Sequence, residues 1–155
     1  LIYARPSVIP DVAAVSKDIR PEDAAEIYAA SGLDPMAGLL TGYLHSDICQ
    51  TICTAKEHKP IGLFGLRMVE KDKGVVWLLA GNDLPKYGTR FLRESRGWID
   101  RFHQKADLLF NAVDQRNAVH IRWLEWLGFK FIRVIPEYGH LKLPFVEFAR
   151  IKPHV

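Results

Sequence analysis

The residues whose types and spacing point most directly to chemistry lie in Gly81-Asn82-Asp83-Leu84-Pro85-Lys86-Tyr87-Gly88-Thr89-Arg90. This stretch leaves an apolar strand and runs into the clearest amphipathic helix of the chain. Backbone N–H groups at a helix start bind anions, and a glycine there lets a phosphate come close. Lys86, Gly88, Thr89 and Arg90 are therefore the candidates for holding a phosphate. Other chemistries find less support. Gly62-Leu63-Phe64-Gly65 lacks the Gly-Lys-Ser/Thr ending of a phosphate loop and reads as part of a strand. The six histidines form no i, i+4 metal pair, and there is no Gly-x-Ser-x-Gly elbow. Cys49 and Cys53 have no further ligands at zinc spacing, so they read as free, buried thiols in a reducing compartment. Arg90, Arg93 and Arg101 share one helix face. That face suits either solvent or the phosphates of a nucleic acid.

The elements that must position these residues follow from periodicity. With 155 residues, 48% hydrophobic and 25% charged, the chain suits one domain, residues 1–155, with a sizeable core. A net charge of +3 is a weak pull towards nucleic acid or acidic membranes. No apolar run approaches the roughly 20 residues of a membrane span, and no signal peptide is visible. Leu1 to Arg5 reads as a first strand. Helical segments are expected from Pro10 to Ile19, from Pro21 to Ala30 with a stop at Gly32, and from Asp34-Pro35 to about Leu44. Ile48 to Ala55, Pro60 to Met68 and Val75 to Leu79 read as an antiparallel meander joined by polar turns. Thr89 to about Lys105 is the amphipathic helix, with Phe91, Leu92, Ser95, Trp98, Ile99 and Phe102 on one face.

The stretch Asp107 to Phe131 reads as a strand (Leu108 to Val113), a turn, a helix capped by Asn117 and stopped by Gly128, and a further strand ending before a turn at Pro136 to His140. Pro144 to Lys152 is the last strand. The fold class expected is α+β, with a mixed central sheet of six to seven strands flanked by helices. Val75 to Leu79 should lie in its middle and run parallel to Leu108 to Val113. Trp98, Phe102, Leu124 and Leu127 are expected in the core.

The pattern Asn117-x-x-x-Ile121-x-x-Leu124-Glu125-x-Leu127-Gly128-Phe129 resembles the last conserved block of the GNAT (GCN5-related) N-acyltransferases. That resemblance implies the GNAT fold, with acetyl-coenzyme A at the loop and helix start, contacted by Lys86, Gly88, Thr89, Arg90 and Asn117. The chain departs from the family in two places. Its loop keeps at most one of the family's glycines, and Leu124 stands where the family has a tyrosine that protonates the leaving thiolate. Tyr87 or Tyr138 would have to replace that acid, and Asp114 would have to serve as the base. The sequence therefore points away from efficient acetyl transfer and from a required cofactor.

A second resemblance spans more of the chain. Arg20-Pro21-Glu22-Asp23-Ala24-Ala25-Glu26-Ile27, Trp77-Leu78-Leu79 with Phe91-Leu92-Arg93-Glu94-Ser95-Arg96-x-Trp98, and Asn111-x-Val113-Asp114-x-x-Asn117 through Phe129 are similar to blocks of the GNAT-like internal virion proteins of short-tailed, T-odd-type bacteriophages. That resemblance implies a protein of the virion, present in the host cytoplasm during assembly. Its partners would be capsid, portal or internal core proteins, and its role assembly or genome delivery rather than catalysis. An active acetyltransferase and a nucleic-acid-binding module are the other readings.

Overall fold

The computed structural model describes residues 1–154. The elements follow the order β1 (Ile2–Pro6), α1 (Ile9–Lys17), α2 (Pro21–Ser31), α3 (Pro35–His45), β2 (Ile48–Thr54), β3 (Pro60–Glu70), β4 (Lys73–Ala80), a 3₁₀ turn (Leu84–Tyr87), α4 (Gly88–His103), β5 (Leu108–Asp114), α5 (Ala118–Trp126), β6 (Lys130–Tyr138) and β7 (Leu143–Ile151). Local chemistry accounts for most of the boundaries. Proline occupies the first turn of α1, α2 and α3, where its missing N–H costs nothing. The Asp34 carboxylate accepts the Ala37 N–H and starts α3. Gly32, at φ 74°, ends α2 in the left-handed region.

The strands form one seven-stranded sheet in the order β1-β2-β3-β4-β5-β7-β6. Strand β4 is central, as its unbroken apolar run predicts. It pairs antiparallel with β3 and parallel with β5, which it reaches through α4. Strand β7 inserts between β5 and β6, pairing antiparallel with both. The expected turn at Pro136 to His140 lies later, because β6 continues through Pro136 to Tyr138. Proline is tolerated there because β6 is an edge strand and the ladder is bulged between Ile135 and Tyr138.

Helices cover both faces. Val12, Val15 and Leu39 pack on one face with Leu63, Trp77 and Leu79. On the other, Phe91 and Trp123 pack with Ala80 and Leu84, while Ile99 and Phe102 pack with Leu66, Val76 and Leu109. Phe102 is core, whereas Trp98, Leu124 and Leu127 are half-buried against it. The cap expected of Asn117 is absent: its side chain makes no capping bond to α5 and turns inward instead. Cys49 and Cys53 are free thiols, Cys53 fully buried and Cys49 half-buried.

Candidate functional site

The parallel pairing of β4 with β5 covers only Lys73–Leu108, Gly74–Leu109 and Val75–Phe110. Beyond it the strands part. At the fork, the Asn111 side chain replaces the missing rung. Its Nδ2 donates to the Val76 carbonyl at 2.8 Å, and its Oδ1 accepts the Ala112 N–H at 2.8 Å. At the far end, α2 reaches into the opening. The Ala80 N–H donates to Asp23 Oδ2 at 2.7 Å, and the Asp114 N–H donates to Glu26 Oε1 at 3.0 Å. Asn117 Nδ2 links the two carboxylates, at 3.0 Å from Asp23 and 3.2 Å from Glu26. A continuous polar chain therefore ties the ends of strands that make no bond to each other. Between fork and chain, the alternation of the β3–β4 ladder turns the Leu78 N–H and C=O towards the gap.

Burial shapes the charges in this chain. Asp23 is fully buried and also takes a 2.8 Å hydrogen bond from the buried Arg20 guanidinium. The Glu26 side chain is half-buried as a whole, but its carboxyl is enclosed. Burial first, and then the neighbouring Asp23, push its pKa up to about 8. Glu26 is therefore mostly protonated at neutral pH. Burial likewise lowers the His120 pKa against the pull of Asp23, so the ring is neutral. His120 Nε2 lies 3.3 Å from Asp23 Oδ1 without forming a hydrogen bond, which leaves this buried atom without a hydrogen-bond partner. Burial would raise the Asp114 carboxyl, yet the hydrogen bonds from the Arg116 guanidinium and N–H hold it below the usual range.

Of the residues expected to hold phosphate, Lys86 lies in the 3₁₀ turn, and Gly88, Thr89 and Arg90 open α4. No side chain caps that start. Gly88 has an ordinary helical φ of −50° and open space where a Cβ would point, so only an approaching ligand would require a glycine there. Lys86 is bound to Asp83 at 2.9 Å, and Lys59 takes the other oxygen of Asp83 at 2.8 Å. Asn117 does not join this group, because its side chain turns inward and its Nδ2 is committed to Asp23 and Glu26.

Trp123 occupies the space between the start of α4 and the gap. Its ring packs on Phe91 of α4 at 4.9 Å and stacks on His120 at 5.2 Å, over Ala80 and Leu84. Coenzyme A would place phosphates at the α4 start, which suits them, and an acyl-bearing arm in the gap. The gap itself holds open space, bordered by Phe91 and Trp123. Leu124, which offers no proton, lines the same space. Tyr138 lies near Glu26, but burial raises its pKa and its ring packs on Phe145 at 4.5 Å.

Asp23, Glu26 and His120 were not legible as site residues. Asp23 reads in sequence as an ordinary acid in a first helical turn. The available cue was its i, i+4 spacing from Ile27, which sets a carboxylate in the buried stripe of α2. The helical arginines are exposed, with Arg96 over the Trp126 ring at 3.6 Å and Arg101 over Trp98 at 4.3 Å. Among the described residues no cluster of metal-ligating side chains occurs, and no helix is long and apolar enough to cross a membrane.

No family model and no curated protein matches the sequence. Solved structures do match the fold. A GNAT-family acetyltransferase from Bacillus anthracis superposes with a TM-score of 0.71 at 11% identity, covering 97% of this chain and 94% of that one. Ard1 from Thermoplasma volcanium gives 0.72 at 16% identity, covering 99% of both chains. The ribosomal-protein-S18-alanine N-acetyltransferase from Escherichia coli gives 0.68 at 12% identity, covering 100% of this chain and 96% of that one. With its forked β4–β5 pair, its seven-stranded sheet and these neighbours, the chain has the fold of the GCN5-related N-acetyltransferases.

Proposed function

We propose that the chain is a binding and assembly protein on an acetyltransferase scaffold, and that its place is the phage particle, as an internal or capsid-associated component. The observation that carries the non-catalytic part is Leu124, which lines the gap and offers no proton to a leaving thiolate. The phage part is supported by the three sequence blocks in α2, β4–α4 and β5–α5. Shared fold does not carry function, so acetyltransferase neighbours are compatible with either outcome.

The test has two arms. Calorimetric titration with acetyl-coenzyme A should give no saturable heat, and the protein should co-purify with intact particles of the phage that encodes it. Micromolar binding with turnover on an amine panel would overturn the first half. Absence from purified particles would overturn the second.

One observation favours acyl transfer to an amine instead. Glu26 lines the cavity in the gap, and its pKa of about 8 suits a general base working near neutral pH. In that reading Glu26 takes the proton of the attacking amine. Trp123, which borders the gap, would then change its fluorescence on cofactor binding.

A further inference from the structure

The gap between β4 and β5 opens into a cavity of about 260 Å³ that extends beneath α4. Close-packed interiors hold few voids larger than a water molecule. An apolar cavity of about 150 Å³ already accepts benzene. The walls here are largely aromatic and aliphatic, with Phe64, Phe91, Trp98 and Leu124 among them. At the end bounded by α2 and α5, Glu26 and His120 contribute to the lining.

That end has unused hydrogen-bonding capacity. His120 is 6% exposed and its Nε2 has no hydrogen-bond partner. Glu26 accepts through Oε1 alone, which leaves Oε2 without a protein partner. A buried polar atom without a partner is costly, and a ligand group that both donates and accepts would satisfy either tautomer of the ring. The buried Asp23 carboxylate, 3.3 Å from His120 Nε2 and already paired with Arg20, repels an anionic ligand at this end and offers no free charge to a cationic one. Ring-lined walls favour an aromatic guest through offset and edge-to-face contacts.

We infer that this cavity is a binding site for a small, neutral aromatic molecule bearing one hydroxyl, of the phenol or naphthol class, with its ring beneath α4 and its hydroxyl at His120 and Glu26. The site stands apart from the loop at the start of α4 and requires no phosphate.

The probes are 2-naphthol, naphthalene and 2-naphthoate. The readouts are intrinsic fluorescence, since Trp77, Trp98 and Trp123 line the cavity, and thermal shift. The expected result is saturable quenching by 2-naphthol, about tenfold tighter than naphthalene, the difference a single well-placed hydrogen bond makes. The carboxylate should not bind. Leu124→Phe, which fills the cavity with an apolar group, should abolish binding while the far-ultraviolet circular dichroism stays unchanged. His120→Phe keeps a ring on Trp123 and should reduce 2-naphthol to the affinity of naphthalene. Absence of saturable binding, equal affinity for 2-naphthol and naphthalene in the parent protein, tighter binding of the carboxylate, or undiminished binding in a folded Leu124→Phe variant would each overturn the inference.

Discussion

Glu26 is the residue at which the electrostatics can be read most directly. Its carboxyl has an ordinary pKa of 4.5 and is raised to about 8 by burial and Asp23. Between those values the folded chain keeps a proton that the unfolded chain releases. Stability must therefore be greatest below pH 4.5 with respect to this group, and fall as pH rises towards 8. The slope for one group is at most about 1.4 kcal/mol per pH unit. Glu26→Gln keeps an oxygen for the Asp114 and Asn117 donors and removes the titration. Urea melts between pH 5 and 9 should show the parent losing stability relative to this variant across that window. Parallel curves would mean that the carboxyl titrates normally. Leu124 illustrates a second residue-scale point. A fully buried leucine cut to alanine costs about 2–5 kcal/mol, but Leu124 is half-buried beside an existing cavity. Leu124→Ala should therefore cost only about 1–2 kcal/mol in denaturant melts.

At the scale of elements, the fork between β4 and β5 depends on one side chain. Asn111 supplies both a donor to Val76 and an acceptor for Ala112. Asn111→Ala leaves two backbone groups unpartnered, at about 1–3 kcal/mol each where they are dry. Asn111→Asp keeps the acceptor but sets a charge against the Val76 carbonyl, so it should be no more stable than the alanine variant. A melt in which aspartate restores full stability would show that the Val76 contact is dispensable. The hairpin between β6 and β7 has a comparable single point. It docks on the end of α2 through His140 and Leu141 N–H groups donating to the Ala30 and Ala29 carbonyls. Gly139 sits at φ 67°, where a Cβ would come within 2.4 Å of the Ala30 oxygen. Only glycine combines that backbone angle with that approach. Most helices and strands were legible because their signals are local. Proline starts, the Gly32 and Gly128 stops and the arc from Phe91 to Phe102 each occupy one stretch of sequence. The extension of β6 through Pro136 was not legible, because proline is tolerated only on an edge and edge position is a property of the sheet.

The whole molecule consists of two half-sheets, β1 to β4 and β5 to β7, joined by three residue pairs, Asn111 and the polar chain. The central place of β4 and its parallel partner follow from local patterns and the crossover helix. The insertion of β7 and the polar chain do not, since Asp23 meets Asn117 across 94 positions and no periodicity relates them. The same long-range character makes the chain a test of how the halves hold together. Asp23→Ala strips the partner from the Ala80 N–H and leaves the buried Arg20 with only the exposed Glu22. Removing one member of a buried pair typically costs about 3–5 kcal/mol. The loss should be local first, because the β3–β4 ladder is closed by pairs such as Leu63–Leu79 that do not involve Asp23. Amide exchange followed by nuclear magnetic resonance should therefore speed up at Ala80 and Asp114 well before it does at Leu63 and Leu79. This is the signature of a sub-global opening between the halves. If protection instead falls equally at all four amides, the two half-sheets unfold as one unit and the polar chain is not their joint.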